Sequence, residues 1–249
     1  MSKRIRFGIK TAPQWTTYAD VARVWREADA EPVFEHAWLF DHFLQLGSDP
    51  TGPCLEGWTL LAALAAETHR VRIGVMVTGN TYRHPAVLAN MAATVDHISH
   101  GRLDFGIGAG WYKLEHRSYG LPLYTPGERI GRLGEACEVI RRLWTQETTD
   151  FRGTYYHLQG GRCEPKPAQR PHPPVVIGGH GERLTLRVVA QQADMWNTVP
   201  ETVEEYDANA PYSRRTVRPS DATRPPSSGQ SKSTQIRTSP QRPETSCTG

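Results

Sequence analysis

Gly106-Ile107-Gly108-Ala109-Gly110-Trp111 is the stretch on which the interpretation of the whole chain depends. It ends an apolar, β-like run that begins at Leu103, and its glycines occupy every second position. Because glycine has no side chain, a ligand can approach such a backbone closely. The stretch therefore predicts a strand that ends at the edge of a binding site.

Taken alone, these glycines also fit a strand that ends in a simple turn. Their spacing differs from the dinucleotide fingerprint G-x-G-x-x-G, and no acidic residue about 20 positions later lies at the end of a second strand. A Rossmann domain is therefore disfavoured. The function of the glycine stretch has to be inferred from the segments around it.

Strand-like and helix-like segments alternate along the chain on both sides of the glycines. The predicted strands are residues 5–10, 36–40, 71–78, 103–107, 173–177 and 195–197, and the predicted helices are residues 18–30, 55–68, 85–99, 129–144 and 181–193. A hairpin is predicted at residues 150–158, followed by an extended proline-rich segment at residues 165–174. Repeated βα units of this length predict a parallel sheet, either closed as a TIM-type barrel or open and doubly wound.

The last part of the chain has a different composition. The 249 residues are 38% hydrophobic with a mean hydropathy of -0.55, and residues 207–249 combine arginines with Pro, Ser and Thr but almost no apolar residues. Such a segment buries too little apolar surface to offset the entropy of ordering, so we expect a domain at 1–206 and a disordered tail at 207–249. Six βα units are predicted where a barrel has eight, so we expect the last two to be missing, with the tail translated out of frame.

Charge and cysteine content limit the function classes. A net charge of +3 does not indicate nucleic acid binding and suits an anionic cofactor equally well. Cys54, Cys137, Cys163 and Cys247 form no Cys-x-x-Cys pair, which fits free thiols in a reducing compartment. With no leader-like or membrane-spanning run, we expect a cytoplasmic protein that does not bind membranes.

Functional groups lie at the carboxyl ends of four of the predicted strands. These segments are Asp41-His42, Met76-Val77-Thr78, Gly108-Ala109-Gly110-Trp111 and Gly178-Gly179. The carboxyl ends of barrel strands form one mouth, so we expect the four segments to meet there. His42 is a candidate proton carrier because histidine titrates near neutral pH, although an Asp-His pair is often structural. The glycines at 178 and 179 suit an anion such as phosphate, or simply a tight turn.

A metal-dependent hydrolase is a weaker alternative. Several histidines and one aspartate raise it, namely His36, His84, His97, His100, His116 and Asp96. None forms a His-x-His or His-Glu-x-x-His pattern, so the sequence does not predict a metal site.

Together these motifs resemble the luciferase-like monooxygenase family, and in particular its branch that depends on the deazaflavin cofactor F420. The resemblance covers residues 5–200 and rests on six segments, which are residues 38–43, 55–59, 78–85, 98–103, 106–111 and 173–179.

The resemblance implies a (β/α)8 barrel with F420, or alternatively FMN, across its mouth. It implies that Asp41 and His42 lie beside the cofactor ring, with His42 as the catalytic proton donor or acceptor. It also implies a non-proline cis peptide at Met76-Val77, with Thr78 following it, behind the ring. The residues Gly108, Ala109, Gly110 and Trp111 are expected to line the path of the cofactor side chain, and Ile177, Gly178 and Gly179 to hold its phosphate.

The activity implied is hydride transfer between the deazaflavin and a small organic substrate. An FMN-dependent monooxygenase of the same family and a truncated, non-catalytic remnant stay open as alternatives. A homodimer is an expectation without direct support in the sequence.

Overall fold

Six helices and nine strands are present in the computed structural model, which describes residues 5–47, 49–181 and 184–199. The strands are β1 (Phe7–Thr11), β2 (Phe34–Leu39), β3 (Arg72–Val75), β4 (Thr78–Gly79), β5 (Leu103–Gly108), β6 (Thr149–Arg152), β7 (His157–Gly161), β8 (Val175–Gly178) and β9 (Met195–Asn197). The helices are α1 (Tyr18–Ala30), α2 (Gly57–Glu67), α3 (Pro85–Ile98), α4 (Lys113–Ser118), α5 (Pro126–Thr145) and α6 (Thr185–Gln192). The predicted boundary at residue 206 and the predicted tail lie outside the described residues.

A curved parallel sheet joins these units in the order β1-β2-β3-β5-β8-β9, with β4 paired to β5. Its register sets Ala37 beside Ile73 and Ile107 beside Ile177. The order follows the chain, as expected when each βα unit adds its strand next to the preceding one. The predicted TIM-type architecture is thus confirmed, as a parallel half-barrel in which β1 and β9 are the outer strands.

Large aromatic side chains fill the space between the sheet and its helices. Trp58 on α2 and Trp144 on α5 are both 2% exposed, and their rings lie 6.0 and 5.1 Å from the ring of Phe105 on β5. The indole of Trp144 donates a hydrogen bond to the carbonyl of Ala89 on α3, at 2.9 Å. Both tryptophans therefore belong to the core.

Local signals in the sequence explain where most helices begin. Thr17 caps α1 by accepting the amide of Asp20, and α3 begins at Pro85, whose fixed φ suits the first turn. Helix α5 begins three residues earlier than predicted, because Thr125 caps it at the amide of Glu128.

The third predicted strand is interrupted. In place of one strand at residues 71–78, the structure has β3 and β4, separated by a cis peptide between Met76 and Val77. The non-proline cis bond expected from the resemblance is confirmed. None of the helices in the described part of the chain is both long and apolar enough to cross a membrane.

Candidate active site

All four predicted site segments lie at the carboxyl edge of the sheet, because the strands that deliver them run parallel. Asp41 and His42 follow β2, Met76 and Val77 follow β3, and the two glycine segments end β5 and β8. This edge is where ligands bind in βα barrels.

Val77 lies between the two glycine segments. A Cβ added to Gly108 would lie 2.8 Å from Cγ2 of Val77, and one added to Gly178 would lie 2.6 Å from the same atom. Neither strand could therefore carry a larger residue here without moving Val77. The glycines let the ends of β5 and β8 close around the segment that follows β3.

A cavity of about 350 Å³ opens beside these strand ends. It brings together most of the two predicted glycine segments with the first turns of α5 and α6. Its walls are Ala109, Gly110, Trp111, Pro126, Arg129, Ile130, Gly178, Gly179, His180, Gly181 and Thr185. The first turn of a helix carries the positive end of its dipole, so two such turns suit an anionic ligand.

Arg129 supplies a positive charge to this cavity, and the sequence analysis missed it as a site residue. Its guanidinium donates a hydrogen bond to the carbonyl of Gly110, while its buried Nε has no hydrogen-bond partner among the described residues. Nε is itself closed off from solvent, but the charged side chain of Arg129 lines the cavity and would attract an anion bound there. The residues present therefore fit the phosphate of F420 or FMN.

His42 stands near the same cavity and is surrounded by aromatic rings. Its ring centroid lies 5.8 Å from that of Trp111, which lines the cavity, and 5.2 Å from that of Phe40. Nδ1 of His42 lies 3.0 Å from Oε2 of Glu115, and Nε2 forms no hydrogen bond with the residues that the structure describes. His42 thus has one nitrogen engaged by the protein and one without a protein partner.

Glu115 is a second residue that sequence reasoning missed. It lies on α4, a short helix for which the sequence analysis makes no prediction, and it is fully buried. Burial alone would raise the pKa of this carboxyl, but hydrogen bonds from His42, Tyr82, Phe43 and Leu44 together lower it. Glu115 is therefore a buried anion held beside His42.

Asp41 and Thr78 are held in a buried network of ion pairs and hydrogen bonds. The Asp41 carboxylate is enclosed by Arg83, whose guanidinium donates to both of its oxygens, at 2.6 and 3.1 Å, and by the hydroxyl of Thr78. Both residues are buried, and the indole of Trp58 donates to Thr78 at 3.2 Å. Ile177, on β8, is also buried. These three residues do not line the cavity, and neither do His42, Met76, Val77 and Gly108.

A second cavity of about 390 Å³ lies between the tip of the β6-β7 hairpin and the segment after β4. It lies next to the first, because Gly110 of one wall contacts Thr81 of the other. The guanidinium of Arg132 stacks there on the rings of Tyr124 and Tyr155, 3.7 and 4.7 Å from their centroids. The described residues contain no cluster of three or more His, Cys, Asp or Glu that could hold a metal ion.

Several known proteins are similar to this chain in sequence. The chain is 38% identical over 150 residues to an uncharacterized protein of Mycobacterium tuberculosis. It is 35% identical over 153 residues to an F420-dependent glucose-6-phosphate dehydrogenase of Amycolatopsis mediterranei. It is 31% identical over 149 residues to an FMNH2-dependent dimethylsulfone monooxygenase of Pseudomonas putida. Each match covers 60% of this chain and 52%, 45% and 40% of the relative, respectively, so the chain spans about half the length of these proteins.

Among solved structures, an F420-dependent tetrahydromethanopterin reductase from Methanopyrus kandleri superimposes with a TM-score of 0.71 at 22% identity. The match covers 86% of this chain and 61% of that protein, and it shows the shared fold. The model of the luciferase-like monooxygenase family matches residues 4–235. The chain therefore belongs to the luciferase-like monooxygenase family, whose members include F420-dependent and FMN-dependent enzymes.

Proposed function

We propose that this protein binds F420 at the carboxyl edge of its sheet and transfers a hydride between that cofactor and a small organic substrate. The observation that carries the proposal is the cavity beside Gly110 and Gly178, which the cationic side chain of Arg129 lines. A guanidinium beside two helix N-termini suits the phosphate of such a cofactor.

The glycine segments would hold the phosphate and side chain of the cofactor. Gly108, Ala109, Gly110 and Trp111 would line its path on one side. Ile177, Gly178 and Gly179 would support the opposite side through their backbone.

At the other end of the site, Met76 and Val77 would support the ring. When bound, F420 would supply a hydride donor or acceptor at its C5 carbon. His42, which borders Trp111, would give or take the proton that accompanies the hydride. We propose that Asp41 and Thr78 act indirectly by holding the ends of β2 and β4 in place, since Arg83 already binds the Asp41 carboxylate.

An FMN-dependent monooxygenase is the second candidate. It is favoured by the similarity to the Pseudomonas putida enzyme, whose name records dependence on FMNH2. The phosphate cavity suits both cofactors, so a binding measurement has to separate them. A chain that binds neither cofactor would be a non-catalytic remnant. The cytoplasmic location and the homodimer both stay predictions.

Parallel titrations of the full chain with F420 and FMN, followed by cofactor fluorescence and thermal unfolding, test the proposal. We expect tighter binding of F420, and a cooperative unfolding transition that F420 shifts upward. Binding at 100 times Kd adds about 2.7 kcal/mol to stability. Tighter binding of FMN would favour the monooxygenase, and the lack of any shift with either cofactor would favour the remnant.

A further inference from the structure

The Glu115 carboxylate divides its contacts between its two oxygens. Oε1 accepts the backbone N–H groups of Phe43 and Leu44, the latter at 3.0 Å. Oε2 accepts the Tyr82 hydroxyl and lies 3.0 Å from Nδ1 of His42. One oxygen thus holds the backbone that follows His42, and the other faces its ring.

We propose that Glu115 is a positioning residue that holds neutral His42 in its Nδ1–H tautomer, so that Nε2 carries the free lone pair. The proposal deepens the proposed function, because it rests on the assignment of His42 as the proton-transferring group. It gives that assignment a specific atom, Nε2, at which the proton is taken up or released.

The tautomer follows from the donors and acceptors at this contact. An ionised carboxylate only accepts hydrogen bonds, and a neutral imidazole has a single N–H. If Nε2 carried that proton, the lone pair of Nδ1 would face the negative Oε2 of Glu115 inside a buried site, where such repulsion is poorly screened. With the proton on Nδ1, the contact becomes a charge-assisted hydrogen bond.

Glu115 is fit for this role because groups other than His42 also hold its negative charge. Two backbone N–H groups and the Tyr82 hydroxyl donate to the carboxylate. Burial raises the pKa of Glu115, but these bonds together with the one to His42 lower it overall. The phenol of Tyr82 is also 3.4 Å from Nδ1, so it packs against the contact and helps to fix the carboxylate plane.

A purely structural role for Glu115 would involve only Oε1, and the substitution Glu115→Gln separates the two possibilities. A glutamine can keep one oxygen for the backbone N–H groups of Phe43 and Leu44 while presenting an NH2 group to His42. Because that NH2 group donates, it would require Nδ1 to accept and would move the ring proton to Nε2. The substitution is therefore expected to invert the tautomer rather than only weaken the site.

The proposed tautomer is tested on the full chain, labelled with 15N at its histidines and free of cofactor. Long-range proton–nitrogen NMR distinguishes protonated from unprotonated ring nitrogens. The chain has ten histidines, so the His42 signals are identified by their loss in His42→Gln. We expect a protonated Nδ1 and an unprotonated Nε2 in the parent at a pH where His42 is neutral, and the reverse pattern in Glu115→Gln.

Glu135→Gln is the matched control. Glu135 also accepts backbone N–H groups, those of Thr154, Tyr155 and Tyr156, but it holds the β6-β7 hairpin and not His42. Its variant should keep the parent pattern at His42. A parent His42 with its proton on Nε2, or an unchanged pattern in Glu115→Gln, overturns the proposal.

The measurement on the parent decides the question even where Glu115→Gln does not fold. Glu115→Asp, which keeps the charge, should then retain the Nδ1–H signal. No cofactor enters the experiment, so it can succeed while the F420 titration fails. In that case the role of His42 in proton transfer to or from the cofactor would be rejected, but the assignment of its tautomer would be kept.

Discussion

Arg83 and Asp41 form a buried ion pair in which one guanidinium donates to both oxygens of one carboxylate, at 2.6 and 3.1 Å. The Asp41 side chain is fully buried, and that of Arg83 is 12% exposed. Removing one partner of such a pair leaves a buried charge uncompensated. We predict that Asp41→Asn lowers the free energy of unfolding by about 3 kcal/mol, since Glu56 still contacts Arg83.

Urea unfolding followed by circular dichroism measures this loss. Glu27→Gln is the control, because Glu27 pairs with Arg23 on the surface of α1, where both side chains are more than half exposed. Its effect should stay within about 0.5 kcal/mol. Equal effects of the two substitutions would contradict the structural role given to Asp41.

Arg129→Met should weaken the binding of F420 or FMN by about 10-fold or more, because it removes a charge-assisted hydrogen bond to the phosphate. The measurement is the fluorescence titration used for the parent. Arg141→Met is the matched control: Arg141 lies on the same helix and also has a buried Nε without a partner in the described residues, but it binds Gln192 away from the cavity. Equal weakening by both variants would argue against an anion site at Arg129.

Gly178→Ala should destabilise the protein by about 1–3 kcal/mol and reduce cofactor binding, because the added Cβ would lie 2.6 Å from Val77. Gly127→Ala introduces the same methyl group on α5, where nothing lies within 4 Å. That control should be neutral or stabilising by up to about 1 kcal/mol. Thermal unfolding and the F420 titration compare the two variants, and a well-tolerated Gly178→Ala would be inconsistent with the packing described here.

The stability contributed by Glu115 should depend on pH. Its pKa in the folded protein lies below the ordinary value of 4.5, so its contribution is complete above that value and is lost as the pH falls through the folded pKa. We expect the parent to have a higher Tm than Glu115→Gln near neutral pH, and the difference to shrink in increasingly acidic buffer. A difference in Tm that does not change with pH would show that the charge of Glu115 does not support the fold.

Apolar periodicity and the positions of proline and glycine were sufficient to predict most of the helices and strands. The bounds of α1 and β9 match their predictions at Tyr18–Ala30 and Met195–Asn197, and Pro85 marks the start of α3. These segments have clear apolar periods or distinct breakers. Helix α5 shows the limit of periodicity, since the cap at Thr125 lies ahead of the first apolar residue.

The residues that complete the candidate site were harder to predict, because contacts distant in sequence define them. Glu115 is 73 residues from His42, and nothing in its local pattern distinguishes it from a surface glutamate. Arg129 likewise reads as one of several charged residues on an amphipathic helix. Only the folded backbone shows that α4 turns the carboxylate inward and that the first turn of α5 faces the glycines.

Val77 makes two strand positions interdependent. Its Cγ2 methyl group meets the space above Gly108 and Gly178, where an added Cβ would lie 2.8 and 2.6 Å away. A larger residue at 108 or 178 therefore requires a smaller one at position 77, and a smaller residue at 77 would relax the demand for glycine on two neighbouring strands at once. Redesign of this edge of the sheet for a bulkier ligand should therefore start at Val77. One substitution there changes which residue types fit at the ends of both β5 and β8.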